Sequence, residues 1–198
     1  MFKSREGDDH LCGKCLKSNG YFRKARAFAV YNEMFKDLIY CYKYRNKIQL
    51  ERPFSFFLFS IFILYWDLRD IDIIAPVPLH RRRMRKRGFN QAYLMIRKWH
   101  QIAKAFQVDM TSVQIEREII VRTHRTASQV GMSVKDRQAN IKNAFAVKTP
   151  EKIRGKRILL IDDVITTGST VNECARVLVN SGALYVDVLT LAQAIKSW

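Results

Sequence analysis

Glycine and proline are scarce in this 198-residue chain, eight and four respectively, so no flexible linker divides it into two large domains. No internal repeat or low-complexity tract suggests a solenoid or a disordered tail. Only four cysteines occur, and only Cys12 and Cys15 lie close together, which excludes a disulfide framework and agrees with a reducing, cytoplasmic setting. The opening residues "MFKSREGDDHLCGKC" lack the apolar core of a signal peptide, so export is not expected. No uncharged apolar run approaches the roughly 20 residues of a membrane-crossing helix. The strongest, Pro53 to Trp66, is fourteen residues long and reads as a buried helix with Pro53 in its first turn; a membrane-associated segment is the competing reading. Acidic residues are outnumbered 18 to 35, and the resulting +17 favours polyanionic partners such as nucleic acid, nucleotides or phosphorylated metabolites without choosing among them.

What the chain does contain is one sizeable core: 48% of its residues are hydrophobic. The pattern predicts a strand in "AFAVYNE", a helix through "MFKDLIYCYKYRNK" and the aromatic helix just described. A buried strand "DIIAPVPL" and an amphipathic helix "FNQAYLMIRKWHQIAKAF" follow. "REIIVRT" and "NAFAV" read as strands flanking a polar, basic loop. "RILLID" is a strand covered on both faces, "STVNECARVLVNSG" a helix closed by Gly182, and "LYVDVLTLA" a last strand. Strands alternating with helices imply an α/β fold with a largely parallel sheet. Trp66, Trp99 and Phe54, Phe56, Phe57, Phe59 and Phe62 read as core or partner surface, Cys41 and Cys174 as core, and His100 as a surface or satisfied histidine.

In such a sheet, ligands bind beyond the carboxyl ends of the strands, where Asp162 and Asp163 fall. The following "VITTGST" leads into a helix, so its amides and the helix N-terminus form an anion site. Thr166, Thr167, Ser169 and Thr170 add hydroxyl donors, and Gly168 allows a tight turn. Two carboxylates would repel a phosphate, so they must face a vicinal diol or a magnesium ion, and the implied ligand is a sugar phosphate. The bland alternative is an Asp-Asp turn that merely caps the next helix through Thr167 or Ser169. A second constellation, "PVPLHRRRMRKRGFNQA", packs six cations into the seven residues Arg81 to Arg87. Such a run reads as a solvated basic face, or as a nucleic-acid contact through Arg82, Arg83, Arg85 and Lys86.

"LLIDDVITTGST" resembles the phosphoribosyl pyrophosphate signature of the type I phosphoribosyltransferases, and "PVPLHRRRMRKRGFNQA" is similar to the hallmark of their ComF-type, competence-associated members. The resemblance runs from about Tyr21 to Ala192. It implies the type I phosphoribosyltransferase fold over residues 27–198, behind a small N-terminal hood or knuckle segment at 1–26. Asp162 and Asp163 would hold the ribose hydroxyls and, through the ligand, magnesium, while Val164, Ile165, Thr166, Thr167, Gly168, Ser169 and Thr170 wrap the 5-phosphate. Leu79, His80 and Arg81 would bind pyrophosphate in a loop that follows the Pro-Val-Pro strand, with Arg87, Asn90 and Gln91 closing the site; Asp162, Asp163, Arg81 and Arg87 would be its catalytic residues. Arg122, Thr126, Gln129, Arg137 and Asn140 match a mobile lid. The N-terminus departs from the family, keeping only Cys12 and Cys15 of two zinc-binding cysteine pairs, with His10 and Asp9 as substitute ligands. The expected activity is transfer of phosphoribosyl to an unnamed acceptor, linked to DNA uptake. Single-stranded DNA, and an uptake helicase or membrane machinery, would be its partners. The alternative is a non-catalytic binding module on the same fold.

Overall fold

The computed structural model describes residues 20–45, 47–123, 141 and 143–194. In chain order the strands are β1 (Ala25–Val30), β2 (Ile73–Pro76), β3 (Gln114–Ile115), β4 (Ile120–Arg122), β5 (Phe145–Val147), β6 (Arg157–Ile165) and β7 (Tyr185–Gln193). The helices are α1 (Glu33–Tyr44), α2 (Glu51–Tyr65), α3 (Arg81–Arg87), α4 (Gln91–Ile96), α5 (Trp99–Ala105), α6 (Pro150–Ile153) and α7 (Ser169–Asn180). Five strands form one sheet in the order β1-β7-β6-β2-β3, every pairing parallel, and β4 pairs antiparallel with β5 beside it. The predicted parallel α/β architecture is the observed one.

The central strand β6 is apolar on both faces because both are covered. Leu159 and Ile161 enter one core with α2, α4 and α5, while Ile158 and Leu160 enter the other with α7. Helix α2 buries Phe54, Leu58 and Phe62 at successive turns, and Phe62 stacks on Trp99 with centroids 5.2 Å apart. With the preceding 3-10 turn, Ile48–Tyr65 spans 18 residues at mean hydropathy 1.3, long and apolar enough for a short membrane span by length and composition. Its inner face is nevertheless core, and Phe56, read as core or partner surface, is exposed on the outer one.

Three expectations change. The strand predicted through Glu33 stops at Val30, because the Asn32 side chain accepts the Phe35 N–H at 3.0 Å and starts α1. The amphipathic helix at 89–106 is two helices. Arg97 turns to clamp the buried Glu51 through Nε and Nη2 (3.0 and 2.7 Å), and Lys98 leaves helical geometry at φ −106°, ψ 10°. The basic run is not a loop but the helix α3. His80 caps it, its Nδ1 accepting the Arg82 N–H at 3.2 Å, and Gly88 ends it at φ +81°.

Away from the site, Asp187 on β7 is fully buried and its carboxylate is saturated. It accepts Arg23 Nε and Nη2 (3.1 and 2.7 Å), Trp66 Nε1 (2.8 Å) and the Lys24 amide (3.3 Å). Arg23→Leu strips two charge-assisted bonds from a buried anion and should cost about 2–3 kcal/mol. The readout is a lower urea midpoint at an unchanged slope; an unshifted midpoint would mean that water replaces the guanidinium.

Candidate functional site

From β2 the chain continues to β3 on one side of the sheet, and from β6 to β7 on the other, so connections diverge between β2 and β6. That divergence opens a crevice beyond the strand ends. It holds about 350 Å³, and its walls are Val77 to Leu79 after β2, Asp162 to Val171 from the end of β6 into α7, and side chains from α1, α3, α4 and β4.

Strand β6 carries the two carboxylates inside its ladder and ends only at Ile165, later than predicted, so the connecting loop is just Thr166 to Gly168. Gly168 is required for its conformation: it sits at φ +76°, while the nearest atom to an added Cβ would be Ile165 Cδ1 at 3.9 Å. Thr167 Oγ1 and Ser169 Oγ lie 2.9 Å apart, and Gly168, at the N-cap of α7, offers no side-chain cap. Thr167 Oγ1 accepts the Ser169 amide at 3.4 Å, and the next amides of the first turn, at Thr170 and Val171, are left to an anion. Neither Asp162 nor Asp163 caps this helix, whereas Thr167 meets its first amide as the capping alternative has it.

Adjacent residues of a strand face opposite sides, and the acid pair is split accordingly. Asp163 is buried and engaged at both oxygens, by Lys43 Nζ at 2.7 Å and by Gln91 Nε2 at 2.6 Å. Gln91 in turn accepts Arg87 Nη1 at 2.6 Å. Asp162, on the crevice floor, accepts the Asp163 amide at 2.8 Å. Desolvation, and then repulsion from Asp163, push its carboxyl up to about 7. Arg122 on β4 is buried in the crevice wall over the Phe145 ring, 5.2 Å from its centroid. Burial, followed by the nearby Arg83, lowers its pKa, and Asp162 opposes that shift.

The helical form of the basic run redistributes its roles. Arg83 and Arg87, one turn apart, are half-buried and line the crevice with Leu79 and Gln91. Arg81, Arg82, Arg85 and Lys86 are exposed on the outer face. Arg81, expected at the pyrophosphate, does not line the crevice, and Arg83, expected on nucleic acid, does, because a period of 3.6 sets 83 and 87 on one side. His80 serves as a cap and does not line the crevice. Asn90 is structural, donating to Val77 O at 3.0 Å and accepting the Ala92 amide at 3.0 Å. Of the lid residues only Arg122 is described, and it is a wall; Thr126, Gln129, Arg137 and Asn140 lie outside the described residues, as do Cys12, Cys15, His10 and Asp9. Among the described residues no cluster has the ligands for a metal by itself. Sequence reasoning missed Lys43, Tyr31 and Tyr44, all lining the crevice. Lys43 stands 120 positions from the carboxylate it neutralises, so no local pattern could have revealed it. His100 is satisfied at Val113 O (3.0 Å), Cys174 is buried, and Cys41 is only half-buried.

Because the folded Asp162 carboxyl sits above its unfolded value near 4, the protonated form favours folding. That contribution is complete below about pH 4 and is lost as pH rises to about 7. Asp162→Asn should accordingly raise the melting temperature at pH 8, by about 2–4 °C per kcal/mol relieved, and leave it unchanged at pH 4. Scanning calorimetry at both pH values checks this, and equal shifts at both would detach the effect from ionisation.

The phosphoribosyl transferase domain family matches residues 99–198, the segment that contains β6, the loop Thr166 to Gly168 and α7. The chain is 33% identical to Competence protein F of Haemophilus influenzae, across 92% of its own length and 78% of that protein's. It is 32% identical to DNA utilization protein YhgH of Escherichia coli K12, across 94% and 79% of the two chains. Among solved structures it is similar to the purine phosphoribosyltransferase of Pyrococcus horikoshii Ot3, at 14% identity, 72% and 73% coverage and a TM-score of 0.42. With a domain match over half its length and relatives above 30% identity along nearly all of it, the chain belongs to the phosphoribosyltransferase family as a ComF-type member.

Proposed function

We propose that the crevice binds phosphoribosyl pyrophosphate with magnesium and that pyrophosphate is displaced from ribose C1 by an acceptor nucleophile. The observation that supports this most is the convergence of three parts with different chemistry: the α7 amides and loop hydroxyls, the Asp162 carboxylate, and the Arg83–Arg87 face of α3. The first suits a monoester phosphate, the second a diol or a hard cation, the third a pyrophosphate. In the reaction the C1–O bond to pyrophosphate breaks, a bond from C1 to the acceptor forms, and the acceptor's proton is released. Positive charge grows on the sugar and negative charge on the leaving group, so fixed cations lower the barrier without side-chain acid-base work. Asp162 has the hard oxygen chemistry for magnesium at the diol, whereas Asp163 is committed to Lys43 and Gln91 and acts by holding that network in place. Magnesium, when bound, neutralises charge on the leaving phosphates.

The outward face of α3 supports a second activity. Arg81, Arg82, Arg85 and Lys86 are exposed and make no ion pair among the described residues, which is the form of a polyanion-binding face. The names of the two relatives, a competence protein and a DNA utilization protein, favour DNA as that polyanion, and the proposal takes it as a single strand held in the cytoplasm next to uptake machinery.

Two outcomes test these readings. Arg83→Ala should weaken phosphoribosyl pyrophosphate binding, measured by calorimetry with magnesium, about 10- to 100-fold, whereas Arg81→Ala should not. The double change Asp162→Asn, Asp163→Asn should abolish it; unchanged affinity there removes the assignment. For DNA, affinity should fall steeply with salt, and replacing Arg82, Arg85 and Lys86 by Ala should flatten the log–log slope by about 0.7–0.9 for each phosphate no longer neutralised. A slope that stays the same places the DNA surface elsewhere.

A further inference from the structure

A row of two rings flanked by two cations runs outward from the crevice wall. Tyr40 and Tyr44 lie one turn apart on α1, their ring centroids 5.1 Å apart, and they are 50% and 60% exposed. The Arg87 guanidinium lies 5.0 Å from the centroid of Tyr44, and that of Arg45 lies 5.9 Å from the centroid of Tyr40. The row therefore runs Arg45, Tyr40, Tyr44, Arg87. Tyr42, between them in sequence, points the other way and is fully buried, so α1 divides its tyrosines between core and solvent. The exposed pair contributes little to the core. Tyr44 and Arg87 both line the crevice, where Arg87 is already held by its bond to Gln91.

A large, rigid, half-exposed ring next to a fixed guanidinium suits one ligand class well: a flat heteroaromatic ring whose π-face stacks on the tyrosine while neighbouring phosphates meet the cations. We propose that Tyr44, backed by Arg87 and followed by Tyr40, is a stacking site for a nucleobase. The base belongs either to a single strand passing from the outer face of α3 across the crevice mouth or to a free heteroaromatic acceptor. Only the second source rests on the phosphoribosyl reading of the crevice.

The experiment uses the full-length protein and two labelled oligonucleotides of equal length and charge, oligothymidine and an abasic strand, in anisotropy titrations at one salt concentration. The wild type should bind the base-bearing strand about tenfold more tightly or better. Tyr44→Ala should erase that preference while the affinity for the abasic strand stays where it was, and Tyr44→Phe should keep it. In a second arm, adenine and uracil are titrated by calorimetry into the wild type and Tyr44→Ala. Ring binding that disappears with Tyr44, without any strand preference, assigns the site to the free acceptor. The proposal is overturned if the strand preference survives in Tyr44→Ala, or if neither strand nor free base distinguishes the wild type from the variant. A parallel titration of the wild type with phosphoribosyl pyrophosphate and magnesium keeps the two readings apart, because its failure would remove the phosphoribosyl site and leave the strand result intact.

Discussion

Two neighbouring carboxylates at the end of a covered parallel strand cannot share one solution, and the site is organised around that constraint. Strand geometry sends Asp162 and Asp163 to opposite faces. On one face, α1 and α4 supply Lys43 and Gln91, which engage both oxygens of Asp163. On the other face Asp162 is left to the crevice, where burial and its neighbour hold its carboxyl up to about 7. This is a destabilised arrangement in the free protein, and a ligand that favours the ionised form, a diol or a hard cation, would relieve it. Arg122 and Arg83 add positive charge to the same crevice. The positions of α1, α3, α4 and β4 around β6 thus follow from what the acid pair needs.

The short helix α3 shows how backbone geometry assigns function among identical side chains. Six of its seven residues are cations, and as a loop they would be interchangeable. Wound at 3.6 residues per turn between the His80 cap and Gly88, they separate into an inward pair and an outward group. The inward pair is further anchored: Arg87 bonds Gln91 and lies over Tyr44, so its guanidinium is fixed before any ligand arrives. Fixing a cation in advance reduces the ordering cost of binding.

Much of this is legible in the sequence wherever local chemistry and tertiary need agree. The strand "RILLI", the acids that follow it, Gly168 and the closing Gly182 are all signalled by short-range pattern, and they hold. The length of β6 is understated there, because a charged pair reads as the end of a strand when its neutralising partners are unknown. The break between Ile96 and Trp99 has no glycine or proline to announce it, since it depends on Glu51, a residue 46 positions away. Helix α3 is hidden for a different reason: a run with cations on every side has no apolar period, and only its caps mark it. Lys43 and Tyr44 lie in a helix whose buried face is predictable but whose exposed face has no meaning until α3 is placed beside it.

That placement joins the two proposed activities. The inward and outward cations of α3 belong to one helix less than two turns long, so phosphates on either face share its electrostatic field. Ligands that share a field and compete for the same counter-charge must weaken each other, and by linkage the penalty is the same in both directions. A strand whose base stacks on Tyr44 would deepen the conflict, because it would lie where an acceptor must approach. The converse also holds: with the crevice filled, Arg87 would be drawn to the leaving phosphates and its hold on the Tyr44 ring weakened. On this reading the chain does not carry a transferase site and a separate DNA surface. It carries one helix whose two faces are alternatives, and occupancy of the crevice sets how strongly the protein holds a strand.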